Sequence, residues 1–217
     1  MTPRHTDRDE AAVQEPAGWQ AQKSASTRLQ IVEAALRCFV ELGYAGTTTT
    51  VIAERAGLSR GAMLHHFPSK NDIVRAAVEH LHAKRLKAFR KAIDKLPRDE
   101  TRVRKAIESY WEHVKHPMYT AFLELWVAAR TDPELANILA PAQEAFEREW
   151  YRTAVDLFPE WRDTGVNFDL ALDLIHYIMD GMAVSFLTHE HGERDKVLLR
   201  YLEERLRELS KRAPSQA

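Results

Sequence analysis

The sequence predicts an all-α protein in which a small N-terminal helical unit precedes a larger helical domain. Three observations predict it: apolar residues recur at three- and four-residue spacing in one segment after another, no stretch alternates as a half-buried strand would, and Gly or Pro punctuates the segment ends. With 217 residues, 45% hydrophobic and 29% charged, the chain has ordinary globular composition and enough length for one large domain or two small ones.

Residues 1–23 carry Pro3, Pro16, Gly18 and mixed charge without a period, which predicts a mobile tail. A first helix starts at Ser24 or Ser26, pairs Ile31 with Ala35 and Leu36 with Val40, and ends at Gly43. The threonines from Thr47 to Thr50 supply a cap, placed at Thr48, for a short helix that buries Ile52 and Ala56 and stops at Gly57. Leu58 fills the turn and Ser59 caps the next helix. There Met63 and Phe67 share the packing face, while Arg60, Gly61, Leu64 and His65 point away. Two short helices joined by so tight a turn make Gly43 to Lys70 a helix-turn-helix. Ser69, with Asp72 three residues on, then caps a fourth helix from Asn71 to Leu96, striped by Ile73, Ala77, Leu81, Leu86 and Phe89 and basic after its first turns. It is the expected connector between the two units.

A fifth helix, 101–116, sets Val103, Ile107, Tyr110, Trp111 and Val114 on one side, and Pro117 breaks it. The sixth, Met118 to Arg130, is strongly apolar. Thr131-Asp132-Pro133-Glu134 starts a seventh that reaches about Phe158 with Leu135, Ile138, Leu139, Phe146 and Trp150 inward and a kink expected at Pro141. A loop from Pro159 to Asn167 leads to an eighth, Phe168 to Glu190, apolar nearly all round and therefore needing two covers, its own domain and a partner. His189-Glu190-His191 is expected to end that helix in water. The ninth, Asp195 to Lys211, spaces Leu199, Leu202, Leu206 and Leu209 as a seam for a partner helix. Together with Ile178, Met182 and Phe186, these leucines are the expected surface of a homodimer.

The helix after the turn is suited to the major groove of double-stranded DNA: Arg60 can fork onto guanine, Ala62 can touch a thymine methyl, and Gly61 lets the backbone approach. Thr48, Thr50, Leu64, His65 and His66 complete the candidate DNA face, and Lys70 stands where a phosphate would be welcome beside a helix N-terminus. Charge agrees, since twelve Lys and Arg against six acids give 24–96 a net +6, leaving −6 on 97–217. The single Cys38 excludes an internal disulfide, and no apolar run approaches a membrane span, so a cytoplasmic protein with no membrane partner is expected. No nucleophile elbow, phosphate loop or Cys/His pairing points to an enzyme. His113, His176, Glu124 and Asp180 lack metal-ligand spacing, so neither a metal nor a cofactor is expected.

The residues GYAGTTTTVIAERAGLSRGAMLHHFPSK, and the match from Ser24 to Lys70 as a whole, resemble the N-terminal domain of the TetR family of bacterial transcriptional regulators. The resemblance implies a DNA-binding domain at 24–70 and, at 71–217, a connector helix with a helical ligand-binding and dimerisation domain. It implies a homodimer on a palindromic operator and a small apolar or amphipathic effector that releases DNA. The apolar cavity it implies would draw on Tyr110, Trp111, His113, Phe122, Trp126, Phe146, Trp150, His176 and Met179. Leu64 departs from the family, many members carrying a phosphate-contacting Tyr there. The alternative is a helical ligand-binding or scaffolding protein that kept the fold and lost specific DNA binding.

Overall fold

A computed structural model describes residues 17–161, 166–189 and 192–211, and all the regular structure among them is helical. Helix α1 spans Ala17–Gly46, beginning before Ser24, so residues 17–23 of the expected tail are helical while 1–16 lie outside the described residues. Gln20, Ala21, Gln22 and Lys23 are good helix formers, and extending a formed helix costs far less than nucleating one. At Gly43 the backbone turns left-handed (φ 68°, ψ 173°), and a short turn carries the chain on to Gly46. That conformation requires glycine; a Cβ there would stand 3.0 Å from Glu124 Oε2, the mobile end of a side chain that can give way.

Helices α2 (Thr49–Arg55) and α3 (Arg60–His66) close a small core with α1 and the start of α4 (Lys70–Asp94). Ile31, Leu36, Phe39, Ile52, Met63, Phe67 and Ile73 are its fully buried large side chains, and Cys38 is a small core residue among them. Pro117 starts α6 (Pro117–Ala129) directly after α5 (Arg102–Val114). Asp132 caps α7 (Pro133–Leu157), accepting from the amides of Glu134 and Leu135 at 3.1 and 3.0 Å. A single 3-10 turn, Pro159–Trp161, buries Trp161 ahead of α8 (Val166–Phe186) and α9 (Glu193–Lys211). The rest of that loop, 162–165, and residues 190 and 191 of the expected histidine end lie outside the described residues. No described helix is long and apolar enough to cross a membrane.

The two units meet in more than one place, which corrects the expectation of a single connector. Helix α7 lies along α4, and α1 packs extensively on α6. Tyr44, just past the Gly43 break, donates its hydroxyl to Asp132 at 3.3 Å.

Helix α9 corrects the expected dimer seam. Leu202 is 0% exposed, and Leu206 and Leu209 are buried as well, in a chain with no partner present. Spacing of 3 and 4 specifies that a helix packs, not which molecule supplies the other side, and here α5 and α8 of the same chain supply it. Met182 is buried too, Leu199 and Ile178 are half-buried, and half-buried Phe186 turns its ring to Trp111 at 6.1 Å. The apolar side chains left in water are Leu170, Tyr177 and Val184 on α8, Leu187 just past its end, and Val197, Leu198 and Tyr201 on α9.

Candidate nucleic-acid interface and a buried polar core

The helix-turn-helix is fixed by its caps. Thr48 Oγ1 accepts from Val51 N at 3.3 Å, Ser59 Oγ from Ala62 N at 3.2 Å, and Ser69 and Asp72 form a reciprocal capping box at the head of α4. Each such cap contributes about 1 kcal/mol. Gly57 takes the left-handed conformation (φ 67°) that ends α2 and opens the turn. Side chains of α1 then anchor the assembly from behind: Gln30 donates to Ala56 O at 2.6 Å, and Arg28 lies 4.0 Å over the Phe67 ring while donating to His66 O.

This arrangement leaves Arg60, Gly61, Ala62 and His65 together on the exposed face of α3, with Thr48 and Thr50 exposed on α2. A Cβ added at Gly61 would meet no atom of the protein within 4 Å, so nothing inside the fold asks for glycine there. Leu64 is half-buried and packs on the core, and His66 is half-buried with its carbonyl bound to Arg28. Lys70 is placed differently from its expected phosphate position. Its ammonium donates to Tyr44 O at 2.8 Å and sits 3.7 Å over the Tyr44 ring, and burial holds its pKa below the usual lysine value against the pull of Asp132. Lys70, Tyr44 and Asp132 thus form a chain from the head of α4 to the cap of α7.

A second cluster lies deep in the larger unit, and its central residue escaped the sequence reading. The stripe of α4 runs Ile73, Ala77, Leu81, Arg85, Phe89 and Ile93, every fourth residue buried, with Arg85 where the reading had put half-exposed Leu86. The signal was a cation in phase with an apolar stripe. Arg85 is 2% exposed, with Tyr119, Phe122 and Phe146 rings at 4.8, 5.0 and 4.6 Å from its guanidinium carbon and Tyr110 Oη at 3.5 Å from Nη2. Burying an ion costs on the order of several kcal/mol. Ring contacts of ~1–2 kcal/mol each work against that cost but supply no hydrogen-bond acceptor in the guanidinium plane.

Around Arg85 the other polar groups are forced neutral or tied down. Burial, and then the Arg85 charge, lower the pKa of His82 and of His113 to about 4. Burial raises those of Tyr110 and Tyr119, and Tyr119 donates its hydroxyl to Asp180, which also faces His176 Nε2 at 3.4 Å. Beside the cluster lies a nearly wholly apolar cavity of about 60 Å³, lined by Phe89, Tyr110, Trp150, Phe158, Phe168 and Ile175 among others.

The expected pocket residues therefore divide. Tyr110 and Trp150 line the cavity, Phe122 and Phe146 box Arg85, and His113 lines an adjoining cleft with Arg85 and Tyr119. Trp126 is 38% exposed and stands against His176, their rings 6.5 Å apart, and neither lines the cavity. Trp111 packs on Phe186, and fully buried Met179 does not line the cavity. Both are core, because apolar character alone does not separate a cavity wall from solid packing.

Residues 31–77 match the family described as bacterial regulatory proteins, tetR family. The HTH-type transcriptional regulator CymR of Pseudomonas putida is 29% identical over 182 residues, covering 81% of this chain and 86% of that protein. Among solved structures, a TetR family transcription regulator from Marinobacter aquaeolei VT8 superposes with a TM-score of 0.62 at 16% identity, over 85% of this chain and 97% of that one. The multidrug binding protein EbrR, complexed with imidazole, superposes at 0.55 with 21% identity, over 88% and 96%.

Proposed function

Because the chain is a helix-turn-helix transcriptional regulator of the TetR family, we propose that it acts as a homodimeric repressor on a palindromic operator and is released by a small effector bound in the larger unit. The observation that carries the DNA reading is the exposed face of α3, where Arg60 and Ala62 flank a glycine that the fold itself does not require. Glycine in an exposed helix costs about 1 kcal/mol relative to alanine, and a close approach of DNA backbone or base edge would explain its presence. The effector reading is supported by the cavity beside Arg85 and by EbrR, a neighbour in fold and a multidrug binding protein.

Leu64 packs on the core of the small unit, so its departure from the family pattern does not itself favour a protein that has lost DNA binding. Phosphate contacts fall instead to exposed groups such as Thr50 and His65, since the Lys70 ammonium is engaged by Tyr44. A control route runs through α4, whose head follows α3 directly and whose middle carries Arg85. A ligand that prefers one setting of α4 shifts the population of reading-helix positions by its differential affinity.

The test is a binding titration on DNA flanking the gene, operator against random sequence. Arg60→Ala is expected to lose about 1–3 kcal/mol of discrimination at one base position. Gly61→Ala is expected to unfold no earlier than wild type, gaining up to ~1 kcal/mol of helix propensity, while binding operator more weakly. Full operator affinity and specificity in both variants would remove α3 from the interface.

A further inference from the structure

Resting on the effector reading above and naming its chemistry, we infer that Arg85 anchors a site for a small organic carboxylate, whose apolar body lies among Phe89, Tyr110 and Trp150. The observation is a buried cation without an anion. Arg85 Nε and Nη1 have no hydrogen-bond partner, and Nη2 has only the Tyr110 hydroxyl at 3.5 Å, the far limit of such a bond. Among the described residues no carboxylate stands within the 4.0 Å of an ion pair with it; Asp180 is taken up by the Tyr119 hydroxyl and faces His176. The rings of Tyr119, Phe122 and Phe146 lie near the guanidinium, but ring faces do not fill its in-plane N–H donors. His82 Nε2, in the same cluster, is also buried without a partner.

A carboxylate supplies both missing things, one negative charge and in-plane acceptor oxygens. An alcohol or amide supplies acceptors and leaves the charge, and a phosphate monoester brings a second charge into an apolar space. The cavity walls are apolar, which requires the rest of the ligand to be apolar too. Arg85 itself lines the adjoining cleft and not this cavity, and at about 60 Å³ the cavity is well short of the roughly 150 Å³ that admits benzene, so a ligand reaching from the guanidinium into it must part the rings of Tyr110, Phe146 and Trp150. The occupied conformer is therefore wider than this one, and the anion acts on α4 itself because Arg85 belongs to it.

The experiment follows thermal unfolding and tryptophan fluorescence of the full-length protein with benzoate and octanoate, each matched to its neutral amide, for wild type, Arg85→Met and Arg85→Lys. Millimolar carboxylate is expected to raise the wild-type Tm by several degrees, with the matched amide at least about tenfold weaker. Arg85→Met, which removes the charge and keeps an apolar side chain, is expected to lose that preference, and Arg85→Lys to keep part of it. Equal binding of acid and amide, no response to either carboxylate, or an unchanged preference in Arg85→Met overturns the site. Should Arg85→Met fail to fold, the acid-over-amide ratio in wild type and Arg85→Lys decides in the same way. A gel shift separates this proposal from the function it rests on. Carboxylate binding without release of DNA keeps the site and removes the regulatory reading, whereas release by amides alone keeps regulation and overturns the site.

Discussion

Tyr177→Glu is expected to give a folded monomer whose operator affinity is about 10²–10⁴-fold below wild type, the avidity that joining two modest contacts supplies. Tyr177 is 69% exposed at the centre of an apolar line on α8 that runs Leu170, Leu174, Tyr177, Gly181 and Val184, at spacings of 4, 3, 4 and 3. A Cβ at Gly181 would meet nothing within 4 Å, which leaves room for another helix to come close. With Val197, Leu198 and Tyr201 of α9, this line is the face on which the proposed dimer would form. Two copies of α3 related by a two-fold axis would then meet successive major grooves about 34 Å apart. Light scattering at micromolar concentration and a gel shift read the two effects. Leu202→Glu serves as contrast, because a charge at a fully buried position is expected to unfold the chain and not merely to separate two copies. A Tyr177→Glu protein that remains dimeric would place the interface elsewhere.

Acid is expected to destabilise the larger unit well before its carboxylates protonate. His82 has a pKa of about 4 in the fold against 6.5 when free, because burial and then Arg85 disfavour its charged form. The unfolded chain therefore takes up a proton that the folded chain refuses. No penalty exists above pH 6.5; it grows as pH falls from there toward 4 and then levels off, reaching ~3 kcal/mol for His82. His113, lowered to about 4 by burial, Arg85 and His116, adds in the same direction. Against a total stability of about 5–15 kcal/mol this is a large fraction. Urea unfolding at pH 7 and pH 5 checks it, and His82→Leu should flatten the difference. An identical slope in that variant would show that His82 is not held neutral.

Local chemistry was the legible part of the sequence. Thr48, Gly57, Ser59 and Ser69 with Asp72 all stand where the reading put them, and the start signal Thr131-Asp132-Pro133-Glu134 does open α7, because a cap needs only its own few residues. Long-range partnership was not legible. The leucines of α9 announce a packed helix and cannot say that α5 and α8 are the cover, and Lys70 gives no sign in sequence that Tyr44, 26 residues earlier, takes its ammonium. Arg85 was missed for a different reason. Reading α4 as simply basic after its first turns passed over the one base whose spacing from Leu81 and Phe89 placed it inside.

The reading unit is attached to the rest of the chain at two places, by the continuous helix α4 and, beside Gly43, by the packing of α1 on α6 together with the Tyr44 hydroxyl on Asp132. A body held at two separated points keeps one easy degree of freedom, rotation about the line joining them, and resists tilting in other directions. An effector stroke delivered along α4 would therefore emerge at Arg60 as a swing about that axis. Loosening the second attachment, as the backbone strain of any side chain at Gly43 would, should convert a directed swing into undirected wobble.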